Sequence, residues 1–268
     1  MNDPSRGPRL DLARSWRLVT PAELIEHGRP HSDIVIADLE DGTPAGLKDR
    51  QRDALADWFD GGNTAWIRIN DATTTHWEAD VSLAASVPGV EGVVLAKAES
   101  ADEVAQTRAA IDAPLVPMVE SARAVLRARS IAAAGAARIA FGAGDFRADL
   151  QIDDSPDALM LARSKLVLAS RAEGLPGPID GPTIGDDERR VVEDTLRVKA
   201  LGMTGRLCVT RAQTHAVELA LSPTRDEIAS ARRTLAATTL GYAGSAVTRQ
   251  ALARLTLERA IEFGLIRR

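Results

Sequence analysis

The feature that most constrains this chain is an alternation. Short runs of β-branched and aliphatic residues are separated, again and again, by longer segments whose apolar positions recur at helical spacing. Parallel strands need a crossover of a dozen or more residues, and an amphipathic helix is the usual one. The spacing predicts strands at Trp16–Val19, Asp33–Leu39, Thr64–Asn70, Gly92–Lys97, Pro114–Val119 and Arg138–Gly142, a weaker one around Pro178–Asp180, and an eighth at Gly205–Val209. Between them it predicts helices over Ala45–Phe59, Trp77–Ala85, Ala101–Ile111, Ser121–Ala134, Pro156–Glu173 and Asp187–Ala200. Several are stopped by glycine, as at Gly61-Gly62, Gly135 and Gly174. Eight strands with helical crossovers is the count of a closed barrel, and 268 residues is close to the roughly 250 such a domain takes. The expected class is α/β, a (β/α)8 TIM barrel over residues 1–222 with a C-terminal helical extension over 223–268. That extension reads as two helices, Arg225–Ala237 and Thr248–Phe263, joined through Gly241-Tyr242-Ala243-Gly244-Ser245, a flexible connection. It either packs on the barrel, closes over it as a lid, or reaches a neighbouring subunit.

Composition narrows the function classes. Aromatic residues are only 3% of the chain, so the core must be aliphatic. A net charge of −5 gives no basic footprint for nucleic acid. Cys208 is the sole cysteine, which rules out an internal disulfide and fits a reducing compartment. In the run Leu207-Cys208-Val209 it reads as a buried core residue. No apolar run approaches the ~18–20 residues of a membrane span. Met1–Leu10 carries Pro, Gly and charge without an apolar signal centre, and reads as a short loose arm. The expected location is the cytoplasm.

In a barrel of this kind the chemistry sits at the C-terminal ends of the strands. The residues where the apolar runs stop are unusually acidic: Asp38-Leu39-Glu40-Asp41, Asn70, Lys97-Ala98-Glu99, Glu120, Asp145 and Asp180. A single acid there is often a helix cap. Several together repel, by roughly 4 kcal/mol for a pair ~4 Å apart at an effective dielectric of 20. They must lie far apart or share a cation. Mg²⁺ suits an all-oxygen site with few protein ligands, whereas the lack of His and Cys at the strand ends argues against zinc. Arg68, inside the apolar strand Trp66-Ile67-Arg68-Ile69-Asn70, is costly to bury without an anion. It is either half of a structural ion pair within the barrel or a fork for a substrate carboxylate.

These segments, in this order, resemble the HpcH/HpaI aldolase/citrate lyase family, most closely its citrate lyase beta-subunit-like branch that acts on acyl-CoA thioesters. The motifs are Asp38-Leu39-Glu40-Asp41 followed by Lys48 and Arg52, Ile67-Arg68-Ile69-Asn70, Leu95-Ala96-Lys97-Ala98-Glu99-Ser100, and Met118-Val119-Glu120-Ser121. Phe141-Gly142-Ala143-Gly144-Asp145, Asp180-Gly181 and Gly202-Met203-Thr204-Gly205-Arg206 complete the set. The resemblance implies that Glu120 and Asp145 bind Mg²⁺ and that Arg68 binds the carboxylate and carbonyl of an oxo acid. It places the backbone of Gly142, Ala143 and Gly144 along the same pocket, with Asp38, Glu40 and Lys97 around the metal. It further implies an oxo acid and a CoA thioester as small-molecule partners, and a homo-oligomer, trimer or hexamer. The chemistry expected is cleavage of a 3-hydroxyacyl-CoA of citryl-CoA or malyl-CoA type.

The chain departs from the family pattern in three places. Val19-Thr20-Pro21 stands where Val-Pro-Gly is usual. Thr210-Arg211 stands in place of His-Pro after the eighth strand. Thr248 stands where the C-terminal arm often carries an aspartate. These changes keep two other readings open: a metal-dependent aldolase on free 2-oxo acids that uses no CoA, and a non-catalytic barrel that binds a small acid.

Overall fold

The eight apolar runs pair in chain order, each parallel to the next, and the eighth returns to the first to close the sheet. The computed structural model describes residues 9–237 and 243–267. Its strands are β1 (Ser15–Val19), β2 (Ile34–Asp38), β3 (Ala65–Ile69), β4 (Val90–Leu95), β5 (Leu115–Val119), β6 (Ala140–Phe141), β7 (Ile179–Asp180) and β8 (Gly205–Cys208). The helices of the first half are α1 (Pro21–His27), α2 (Lys48–Asp60), α3 (Trp77–Ser86), α4 (Ala101–Ala110) and α5 (Ala122–Ala133). Then come α6 (Ala143–Leu150), α7 (Pro156–Ala172), α8 (Glu188–Leu201), α9 (Arg211–Leu221), α10 (Arg225–Ala236) and α11 (Ala243–Glu262). Among the described residues no helix is long and apolar enough to cross a membrane.

The expected barrel is present, and its details differ from the sequence reading in three helices. α6 and α9 have no counterpart in the sequence reading, and α1 is expected there only as an abbreviated first helix. Each opens on a residue that frees its first turn from the strand before it. Thr20 and Thr210 cap α1 and α9 through their hydroxyls, which accept from Glu23 N and Gln213 N. Gly142 precedes α6 without a side-chain cap. β6 is two residues long where five were expected. Arg138 is drawn down into the barrel floor, and Gly142 already belongs to the approach to α6. Of the connection expected over 241–245, Gly241 and Tyr242 lie outside the described residues and the rest starts α11.

Strand alternation divides the apolar residues into two layers. One faces the helices; the other, including Trp16, Trp66, Val94, Met118 and Leu207, fills the barrel itself. Two of the four tryptophans lie there. The Trp16 and Trp66 rings meet edge to face with centroids 5.2 Å apart, a favoured arrangement. Gly92 on β4 makes the space: a Cβ at that position would come within 2.4 Å of the Trp66 ring. Gly92→Ala should therefore destabilise the fold by ~1–3 kcal/mol, the usual effect of overpacking a filled interior. Urea midpoints of the variant and the parent measure it.

Arg138 closes the N-terminal end of the barrel. It is fully buried and donates to the carbonyls of Gly177 (2.9 Å), Ala13 (2.8 Å) and Leu10 (3.1 Å) and to Thr204 Oγ1 (2.8 Å). Burial without a carboxylate partner lowers its pKa to about 9. α11 reaches this same end. Glu258 and Glu262 accept from Arg9, and the Arg14 guanidinium lies 3.9 Å from the Phe263 ring centroid. Cys208 is buried as expected, its thiol pushed up to about 12 by burial.

Candidate active site

Register brings the first two charged residues together. Asp38 is the last residue of β2 and pairs with Arg68 on β3. Arg68 Nε donates to Asp38 Oδ1 at 2.7 Å, and Nη2 makes a short contact with Asp38 Oδ2. Its third nitrogen, Nη1, lies 3.2 Å from Glu40 Oε2 and against the Met118 sulfur. Both fork positions that could grip a ligand in parallel are thus closed on Asp38. The ion-pair reading of Arg68 describes this state, and only Nη1 is left facing other groups. Burial alone would lower the Arg68 pKa; the Asp38 hydrogen bonds and the Asp38, Glu40 and Glu120 charges overcome that and raise it.

Asp38 does a second job. It accepts from the backbone N–H of Glu40 (3.0 Å) and of Gly42 (2.9 Å), folding the loop after β2 so that Glu40 turns back over the barrel mouth. Lys48 holds that loop from behind. Its buried ammonium donates to Leu39 O (2.7 Å), Glu40 O (2.7 Å) and Asn70 Oδ1 (2.8 Å). Asn70 Nδ2 in turn donates to Asp80 (2.6 Å), which Arg52 Nε holds at 2.9 Å. Lys48, Arg52 and Asn70 were quoted in the sequence motifs without a role, and Asp80 was missed. An acid in the first turn of a helix is ordinary there and gives no sequence signal of this kind.

Lys97, two residues beyond β4, has a positive φ of 48°, uncommon for a residue with a side chain. The turn aims its backbone N–H at Glu120 Oε1, 2.6 Å away, while its ammonium reaches Glu40 Oε1 at 2.5 Å and Asp41 at 3.6 Å. Burial opposes its charge, and Glu40 more than restores it, so the Lys97 pKa is raised.

Glu120, at the end of β5, is buried beneath the mouth. Gly142 lies directly against it: a Cβ there would come within 2.1 Å of Glu120 Oε2. Asp145 sits in the first turn of α6. Among the described residues, neither Glu120 Oε2 nor the Asp145 carboxylate receives a hydrogen bond. Burial and the Asp145 charge push the Glu120 carboxyl up to about 8, against the Lys97 N–H and the Arg68 charge. The first backbone N–H groups of α6, at Ala143, Gly144 and Asp145, have no partner within the helix and open the same rim to an anion.

This donor set fits a hard divalent cation. Two carboxylates present oxygens without donors, one of them in a pocket that only glycine permits. Among the described residues no three His, Cys, Asp or Glu side chains form a protein-only cage. Mg²⁺ commonly takes one or two carboxylates and completes its octahedron with water and substrate oxygens.

Two other strand-end acids are not part of this group. Asp180, fully buried, is held by Arg163 Nε and Nη2 (3.0 and 3.1 Å), with Arg206 Nη2 at 3.7 Å. Glu99 accepts from the Ser121 hydroxyl. The sequence placed both at the rim by strand ends alone, which does not say which way a carboxylate turns.

The comparison with known proteins follows the same residues. The HpcH/HpaI aldolase/citrate lyase profile matches residues 20–210, a span that includes every group just described. The chain belongs to this family. A citrate lyase subunit beta-like protein of Mycobacterium tuberculosis is 31% identical over 217 residues, covering 77% of each chain. One from Deinococcus radiodurans is 29% identical over 223 residues, 77% of this chain and 78% of that one. The crystal structure of CitE from M. tuberculosis in complex with magnesium, acetoacetate and coenzyme A superposes with a TM-score of 0.78 at 27% identity, over 94% of this chain and 99% of that one.

The raised Glu120 pKa has a measurable consequence for the protein prepared without divalent metal. The unfolded chain gives up this proton near the ordinary value of 4.5, the folded chain near 8. Between those values the folded state holds the extra proton, so stability falls as pH rises through the window. Glu120→Gln has no such proton and should show a flatter profile between about pH 5 and about pH 8. Urea midpoints of both proteins across that range test it; parallel profiles would mean the carboxyl is ionised throughout.

Proposed function

We propose that this chain is a Mg²⁺-dependent carbon–carbon lyase that cleaves a 3-hydroxyacyl-CoA thioester, citryl-CoA- or malyl-CoA-like, into an oxo acid and an acyl-CoA. Residues 1–222 carry the chemistry in this reading, and 223–268 are an appended arm. The observation that carries it is the pair of carboxylates with unbonded oxygens, Glu120 through Oε2 and Asp145 through both, beside the Arg68 guanidinium at one barrel mouth.

Glu120 and Asp145 would hold the ion. When bound, Mg²⁺ supplies positive charge that polarises a hydroxy or oxo group and its neighbouring carboxylate. Arg68, kept cationic and fixed by Asp38, adds charge through Nη1 where oxygen becomes negative as the carbon–carbon bond breaks. The free N–H groups opening α6 receive the carboxylate of the oxo acid. Glu40, Lys97 and Lys48 keep that geometry without reorganising. A thioester fragment leaves as an enolate more readily than a free carboxylate does, which favours the CoA substrate.

The test follows thioester loss and oxo-acid release from citryl-CoA, malyl-CoA and citramalyl-CoA, with Mg²⁺ and with excess chelator. Turnover with Mg²⁺ that chelation removes is the expected result; no turnover of any of the three sinks the proposal. A second reading, an aldolase on free 2-oxo acids, is favoured by Thr20 and Thr210, whose hydroxyls are spent on capping α1 and α9. Calorimetric titration with CoA separates the two, since the aldolase should take up none. Uptake of oxaloacetate with no turnover in either assay identifies a binding protein.

A further inference from the structure

A second cavity lies at the opposite end of the barrel, where α11 passes beneath it. Its volume is about 400 Å³, within the range of small-ligand pockets. Its wall is amphipathic. Met203 and Leu12 from the barrel and Phe263 from beyond α11 give the apolar part. The polar part is cationic: Arg14, Arg171, Lys199 and Arg259. Arg14 is neutralised by Asp33, whose oxygens accept from it at 2.8 and 2.9 Å. Among the described residues the other three make no direct ion pair, although Glu227 acts on Lys199, and Glu258 and Asp11 on Arg259, from a longer distance. Lys199 Nζ rests on the carbonyls of Ala220 and Ser222, at 3.1 and 3.5 Å, and Arg171 Nη1 on Leu175 O at 3.1 Å. Arg259 is half-buried, and among the described residues its guanidinium has no hydrogen-bond or ion-pair partner. The lone acid of the wall, Asp11, is already gripped by Arg9 at 2.6 and 3.1 Å.

A half-buried cation without a direct ion-pair partner is costly. Lys199 and Arg259 are two such groups, with the exposed Arg171 beside them, and the acids nearest Arg259, Asp11 and Glu258, are both bonded to Arg9, so a ligand anion can recover that cost. We propose that this cavity binds a small organic anion, a carboxylate or phosphate on an apolar body, with the anionic group on Arg259 and the body against Met203 and Phe263. Because α11 forms one wall and the barrel the other, the ligand ties the C-terminal segment to the barrel. The site is remote from Glu120 and Asp145, and the inference stands whether or not the lyase reading does.

Isothermal titration of the metal-free full-length chain tests it, with phenyl phosphate, benzoate and inorganic phosphate as probes. The phosphate and benzoate arms decide which anionic head the site prefers. Phenyl phosphate should bind at least about tenfold more tightly than inorganic phosphate, because only it buries an apolar body. Arg259→Met, which keeps much of the side-chain length, should weaken it at least about tenfold. Arg171→Ala, at an exposed position, should weaken it about threefold and guards against a folding defect at 259. Arg68→Met, at the other mouth, should leave it unchanged. Hydrogen exchange of α11 amides should slow when phenyl phosphate is present. Three results overturn the proposal: no binding of either organic probe at about 10 mM, equal affinity for phenyl and inorganic phosphate, or loss of binding in Arg68→Met but not in Arg259→Met.

Discussion

Gly142→Ala is expected to lower Mg²⁺-dependent turnover about as much as Glu120→Gln does, by at least ~10³-fold, although it removes no charged group. The reason is steric. The added Cβ would lie within 2.1 Å of Glu120 Oε2 and 2.5 Å of the Glu120 Cβ. Real carbon atoms do not approach that closely, so the Glu120 side chain must leave its position. Among the described residues Glu120 is held on its other oxygen only by the Lys97 N–H, and one hydrogen bond does not resist a displacement of this size. Removing the charge and moving it should therefore look alike in the assay. Calorimetry with Mg²⁺ should give the same answer as turnover: no measurable uptake by either variant. Gly46→Ala, where nothing lies within 4 Å of the added carbon, is the control for a generic glycine effect. A Gly142→Ala protein with near-normal Mg²⁺ affinity would place the ion away from Glu120.

The largest stability effect is expected at Asp180→Ala. This carboxylate is the sole anion between two buried arginines, bonded to Arg163 at 3.0 and 3.1 Å and 3.7 Å from Arg206. Removing one partner of a buried pair typically costs ~3–5 kcal/mol, because the remaining charge stays in a poor solvent. Here two cations are left. Burial already lowers the Arg206 pKa with Asp180 in place, so the site has little capacity for further uncompensated charge. The urea midpoint should fall while its slope is unchanged. Adding Arg163→Met and Arg206→Met to Asp180→Ala should recover part of the loss, since the stranded charges leave with their side chains. A midpoint shift of less than about 1 kcal/mol for Asp180→Ala alone would mean that water reaches the cluster.

The barrel was legible because its strands carry dense β-branched runs, as in Ile34-Val35-Ile36, and because glycines punctuate the helices. α6 was not legible. Gly142-Ala143-Gly144 is a poor helix start by propensity, and the strand-end reading used up the same residues. α9 did leave a signal: Thr210 followed by Gln213 is the capping pattern at a helix start. The same Thr210 stands at the family's histidine position, which masks that signal. The candidates themselves were legible: Glu120, Asp145 and Arg68, with Asp38, Glu40 and Lys97, are neighbours whose charges act on one another. The partners were not. The Arg68–Asp38 fork depends on the register of β2 against β3, and register is a property of the closed sheet that no short motif states. Asp180 fails for the same reason, since a strand-end acid can turn toward the mouth or toward the helix layer.

Lys97 speaks to the two halves of the site through different atoms. Its side chain meets Glu40, and its amide, presented by a left-handed backbone, meets Glu120. Nineteen of the twenty residue types possess that amide, and proline does not. Saturation mutagenesis at this one codon would therefore sort contributions that elsewhere require two positions: polar or charged replacements would grade the loop after β2, glycine would relax the backbone, and proline alone would release the β5 carboxylate.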